Sequence, residues 1–101
     1  MKKRGCFEMK QGEIWSTSSI NVLIISNKVI NESKIGKVLV MPLTDINDKK
    51  PSHIKMKLDE INNYIKVEEI RAMEKQFLKN QISQLSSFEL KQVKQMLEFI
   101  T

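Results

Sequence analysis

The sequence predicts a mainly β, α+β domain closed by a C-terminal helix, on three observations. Two short apolar runs, residues 22–25 and 38–43, are rich in β-branched side chains and separated by polar turn formers, the mark of buried strands. His53–Leu58 alternates strictly, with Ile54, Met56 and Leu58 on one face and His53, Lys55 and Lys57 on the other, which fits a half-buried strand. From residue 86 onward the apolar period becomes that of a helix.

Taken in chain order, residues 1–10 form a basic arm ahead of a single domain over residues 11–101. Gly12 opens a turn into Glu13-Ile14-Trp15, a short strand whose Trp15 suits the core. Ser16, Thr17, Ser18 and Ser19 make a tight polar connection to Val22-Leu23-Ile24-Ile25, so the two strands should pair as an antiparallel hairpin. Between the two central strands, Ser26 and Asn27 can cap a helical turn, and Gly36 turns the chain into the next strand. That strand runs into Pro42-Leu43-Thr44, where proline removes a ladder donor and a hydroxyl is left at the end.

Residues 45–52 read as a polar loop of the kind that carries binding groups. Beyond His53–Leu58, residues 59–63 are expected to turn and residues 64–71 to form one further strand. A helical turn near 73–78 and a strand at Gln81–Gln84 follow. Ser86 and Glu89 then have capping-box spacing, with Leu85 and Leu90 at the staple positions. Leu90, Val93, Met96, Leu97 and Ile100 recur along the face expected to pack on the sheet.

Composition bounds the function. The chain has 101 residues, enough for one modest core, so association with a second copy is a natural source of further burial. Seventeen Lys and Arg against twelve Asp and Glu leave a net charge of +5, which suits a polyanion such as nucleic acid. Only Arg4 and Arg71 are arginines, so bidentate phosphate recognition has few possible donors. Cys6 stands alone, which rules out an internal disulfide and a cysteine-rich zinc site and suits a reducing cytoplasm. No apolar run approaches membrane-spanning length, and no membrane partner is expected. Gly5, Gly12 and Gly36 are isolated, so there is no phosphate-cradling glycine loop. His53 is the single histidine; with Lys55 and Lys57 beside it, a structural or solvent-exposed role is favoured over catalysis, and no metal or other cofactor is expected. Glu68 and Glu69, adjacent in the expected strand, would face opposite ways and make a poor carboxylate pair.

With these elements placed, the order of motifs resembles the MazF/PemK family of toxins from bacterial toxin–antitoxin systems, whose fold is shared with CcdB. Gly12-Glu13-Ile14-Trp15 is similar to that family's opening strand, Val22-Leu23-Ile24-Ile25-Ser26-Asn27 to its second, and Val40-Met41-Pro42-Leu43-Thr44 to its Val-Val-Pro-Leu-Thr strand. Pro51-Ser52-His53-Ile54, Glu68-Glu69-Ile70-Arg71-Ala72 and Leu85-Ser86-Ser87-Phe88-Glu89 resemble three further motifs in the same order. The gyrase-poisoning branch is disfavoured, because its terminal Trp-Gly-Ile is replaced by Phe99-Ile100-Thr101.

The resemblance implies a strongly bent antiparallel sheet or half-open SH3-like barrel with a C-terminal helix. It further implies a homodimer, a cognate antitoxin as partner, and cleavage of single-stranded mRNA without a metal. It assigns Thr44 as a catalytic residue. The family's second catalytic group, an arginine just before the second strand, has no match: the connection is shortened here, and Ile20 and Asn21 stand where that family has Arg-Pro. Arg71, Lys28, Lys49, Lys50, His53 and Lys55 are the candidate RNA contacts, with Arg4 a further cation able to approach. For Arg71 an ion pair with Glu68 or Glu69 is the alternative. A second reading is a non-catalytic RNA-binding or regulatory member that keeps the dimer and antitoxin-binding surfaces.

Overall fold

A computed structural model describes residues 9–101, so most of the basic arm, with Arg4 and Cys6, lies outside the described residues. Seven strands and two helices follow one another: β1 (Glu13–Ser16), β2 (Asn21–Ile24), α1 (Lys28–Asn31), β3 (Lys37–Thr44), β4 (His53–Leu58), β5 (Ile61–Lys66), β6 (Arg71–Glu74), β7 (Gln81–Gln84) and α2 (Ser87–Ile100). The sheet is antiparallel throughout its pairings, in the order β4-β5-β3-β2-β1-β7, with β6 also on β3.

The curl of the sheet follows from β3. One edge of this strand pairs with β2 through Val22↔Pro42, Leu23↔Met41 and Ile24↔Val40. Its other edge is shared. β6 takes Lys37 to Val40, and β5 takes Leu43 and Thr44. Pro42 is tolerated inside this ladder because neither β5 nor β6 has a registered partner opposite it.

Both faces of the curled sheet are buried, as alternation requires. Ile14, Leu23, Met41, Leu43, Met56, Ile65 and Val67 form one layer, on which Val93 is fully buried and Leu90, Met96 and Leu97 pack from α2. Trp15, Val22, Ile24, Val38 and Val40 form the other, closed by Met9 and Leu78. α2 begins in the expected capping box: Glu89 N–H donates to Ser86 Oγ at 3.1 Å, and Ser86 N–H to Glu89 Oε1 at 2.9 Å. Ile100, expected on the packed face, is 40% exposed, since the helix runs past the edge of the core before it ends.

The region 59–71 differs from the expectation. The turn is only Asp59-Glu60, both at positive φ (52° and 68°), which closes a two-residue hairpin between Leu58 and Ile61. A continuous strand over 64–71 is replaced by β5, a 3-10 turn at Val67–Glu69, and β6. Register explains the break. From Ile65 to Arg71 the chain advances six residues, whereas their partners on β3, Leu43 and Val40, are three apart; the surplus is taken up in the turn.

The connection after β2 also holds a buried polar knot. Asn27 caps α1 through its side chain, and Asn31 Nδ2 donates to the Ser26 carbonyl at 2.9 Å while Ser26 Oγ donates to Asn31 Oδ1. Ser26 Oγ also accepts the Leu39 N–H at 3.0 Å, which ties the crossover to β3. Gly36 makes the turn into β3 at φ 74°, and Gly12 sits at φ 96° with the Leu90 side chain 3.4 Å from where a Cβ would be.

Candidate functional site: the end of β3

Thr44 is the last residue of β3 and is half-buried. Its Oγ1 accepts the Ile46 N–H at 3.1 Å, which fixes the side chain and leaves the hydroxyl proton free to be donated elsewhere. The hydroxyl borders a cleft of about 520 Å³ at the end of the sheet.

Four elements wall this cleft: the β1–β2 connection with Ser19, Ile20 and Asn21; the end of β3 with Leu43, Thr44 and Asp45; the β4–β5 hairpin with Leu58, Asp59, Ile61 and Asn63; and Ile82 of β7. Ile20 is held there by its turn. Its N–H donates to Thr17 Oγ1 at 3.1 Å, and its carbonyl accepts from the Thr17 N–H and hydroxyl, each at 2.8 Å. Thr44 and Ile20, taken from opposite ends of the central strands, therefore meet in one cavity. Its ionisable lining consists of Asp45 and Asp59, with no lysine, arginine or histidine among the described residues that wall it.

Strand register sets one lysine in line with Thr44. Thr44 pairs with Tyr64 on β5, and Tyr64 pairs with Lys55 on β4, so the three side chains lie in one row on one face. Lys55 is exposed and Tyr64 half-buried. The neighbouring pairs, Lys57↔Asn62 and His53↔Lys66, add further basic groups to the same face. Tyr64 was expected to open a strand but was not among the expected site residues, because its place in the row is set by the pairing of β5 with both β3 and β4.

His53 is neither exposed nor part of an open basic face. Its side chain is 4% exposed and lies between two carboxylates, with Nε2 3.0 Å from Glu68 Oε2 and Nδ1 3.1 Å from Asp48 Oδ1. The Asp48 approach is close enough for ionic attraction but is not aligned as a hydrogen bond. Ser52 Oγ donates to the other Glu68 oxygen at 2.7 Å. Partial desolvation raises the Glu68 pKa, but the Ser52 hydroxyl, a backbone N–H and the His53 ring together outweigh it and hold the carboxyl below its ordinary value. This clasp fastens the loop between Thr44 and β4 to the 3-10 turn.

Arg71 lies on β6 opposite Val40, on the Thr44 face but four residues back along β3, about 13 Å at strand spacing. The anticipated Arg71 ion pair with Glu68 or Glu69 is not formed. Glu68 is taken by Ser52 and His53, and Glu69 lies 3.7 Å from Lys66 Nζ. Lys49 and Lys50 sit exposed on the loop, with Lys50 Nζ 3.9 Å from Asp48. Lys28 belongs to α1 at the opposite end of the sheet, where it lines a separate cavity of about 410 Å³ with Met9, Lys10, Asn31 and Glu32. Of the proposed contacts, Lys55 thus shares a row with Thr44, Lys49 and Lys50 lie on the loop that follows it, and Arg71 and Lys28 stand away. Among the described residues no three His, Cys, Asp or Glu side chains converge as metal ligands, and no helix is long and apolar enough to cross a membrane.

A family model described as PemK-like, MazF-like toxin of type II toxin–antitoxin system matches residues 10–101. No curated protein matches the chain. Among solved structures, an endoribonuclease from a mycobacterial species is similar at TM-score 0.81 and 17% identity, over 91% of this chain and 89% of that one. The same kind of mycobacterial endoribonuclease in complex with its cognate antitoxin gives 0.77 at 16% identity, over 91% of each chain. A MazE–MazF crystal structure from Deinococcus radiodurans gives 0.82 at 13% identity, over 93% of this chain and 96% of that one.

Proposed function

Because the chain belongs to the PemK-like, MazF-like toxin family of type II toxin–antitoxin systems, we propose that it acts in the cytoplasm as a homodimer on single-stranded RNA, is held in check by a cognate antitoxin, and cleaves RNA slowly. Residues 11–101 act as the one domain that does so. Two similar structures, an endoribonuclease alone and one with its antitoxin, support the substrate and the partner.

The observation that carries the reading is the meeting of Thr44 with Ile20 in one cleft. In metal-independent cleavage the 2′-oxygen bonds to phosphorus as the bond from phosphorus to the 5′-oxygen breaks. The 2′-proton leaves to solvent and the 5′-oxygen takes one up, giving a 2′,3′-cyclic phosphate and a 5′-hydroxyl. Negative charge grows on the phosphoryl oxygens, where fixed donors contribute most. Thr44 retains a donor of that kind, positioned by the Ile46 N–H. Ile20 has neither charge nor donor, and loss of one such group costs about a hundredfold to a thousandfold in rate. The alternative of a purely binding member is favoured by the same isoleucine.

Incubating the protein with a long mixed-sequence RNA in EDTA and mapping the ends separates the two. Slow, discrete cuts with 2′,3′-cyclic termini, abolished in Thr44→Ala, are expected. Intact RNA at protein excess, with salt-sensitive binding, would instead establish the binding reading.

A further inference from the structure

The cation missing at Ile20 has a substitute on the neighbouring hairpin. Resting on the RNA-cleaving reading above, we propose that Lys55 supplies the positive charge to the reacting phosphate, reaching across Tyr64 towards the Thr44 hydroxyl.

Geometry is the first support. Thr44↔Tyr64 and Tyr64↔Lys55 are direct cross-strand partners, so their side chains share a face. Directly opposed Cβ atoms are about 5 Å apart, which places the Lys55 and Thr44 Cβ atoms about 10 Å apart. An extended lysine stem of four bonds, each about 1.5 Å, carries its ammonium about 5 Å towards Thr44. The remaining gap of about 5 Å fits one phosphoryl oxygen that accepts from both groups, at about 2.8 Å each. Tyr64 stands between them in the row.

Availability is the second support. Two other basic side chains of this face are held by carboxylates: His53 by Asp48 and Glu68, and Lys66 by Glu69. Lys50 lies 3.9 Å from Asp48. Among the described residues Lys55 makes no ion pair, and it is exposed. Lys57 is equally exposed but pairs with Asn62, two residues further from the Thr44 row. The two lysines therefore divide the work: both attract the RNA backbone, and Lys55 alone meets the phosphate held by Thr44. A lysine provides a point charge without the guanidinium fork, which agrees with a slow reaction.

The test is single-turnover cleavage of a fluorescent RNA, with binding measured separately on a 2′-O-methyl analogue that cannot react. Lys55→Ala is expected to lower the cleavage rate at saturation by about a hundredfold while binding weakens only modestly. Lys57→Ala should weaken binding to a similar degree and lower the saturated rate far less than Lys55→Ala does. Lys55→Arg should keep the rate, since a guanidinium supplies the same positive charge. A wild-type protein that cleaves while Lys55→Ala matches it at saturation overturns this inference alone. Equal loss of saturated rate in the Lys55 and Lys57 variants overturns it as well. A wild type that leaves RNA intact overturns the cleavage reading with it.

Discussion

At the scale of single residues, the most informative side chains are those whose surroundings contradict their ordinary habits. Ile20 is half-buried against apolar neighbours, yet it also walls a cleft next to a free hydroxyl. His53 is the reverse, a polar ring put out of solvent and compensated by carboxylates. The Glu68 carboxyl in that clasp is held below its ordinary pKa, so its stabilising effect is present above the unfolded value and is lost as pH falls through the folded one. Glu68→Gln should therefore unfold at lower denaturant than wild type near neutral pH, and the two midpoints should converge in acid. Denaturant melts followed from pH 7 down to pH 3 would show this. A constant difference across that range would mean that the clasp is not ionic.

At the scale of elements, the legibility of the sequence depended on whether a local signal or a register decided the outcome. The α2 start was readable because Ser86 and Glu89 satisfy each other's backbone N–H groups within one turn. Ser86→Ala should cost about 1 kcal/mol, measured as a shift in urea midpoint, with cleavage by the folded protein unchanged. β1, β2 and β3 were readable too, since the short β-branched apolar runs and the polar connection over residues 16–19 are local signals. The 59–71 region was not. Asp59-Glu60 has the positive φ values of a tight hairpin but lacks the glycine that usually signals one, and the 3-10 turn at Val67–Glu69 takes up the surplus residues where β5 and β6 share one edge of β3. Tyr64 lay in the expected strand, but the row that joins Thr44 to Lys55 depends on cross-strand register, which no local signal carries. The Thr44 position itself was visible in Pro42-Leu43-Thr44, whereas the sequestering of His53 required two carboxylates brought from the loop and the turn.

At the scale of the whole molecule, a chain of net charge +5 sets two carboxylates, Asp45 and Asp59, around the one hydroxyl expected to meet phosphate. Lys55, Lys57 and Lys66 lie on the adjacent β4–β5 face instead. The toxin-family model matches residues 10–101, and the proposed loss of a cation lies in the short β1–β2 connection. The central claim is that the cleft beside Thr44 lacks one cation at Ile20. It is tested most directly by the metal-free, single-turnover cleavage rate of Ile20→Arg against wild type, with Thr44→Ala/Ile20→Arg as the control. The expected result is a gain of at least about tenfold, within the range attributed to one transition-state donor, that vanishes in the double variant. A folded, RNA-binding Ile20→Arg protein no faster than wild type would contradict it.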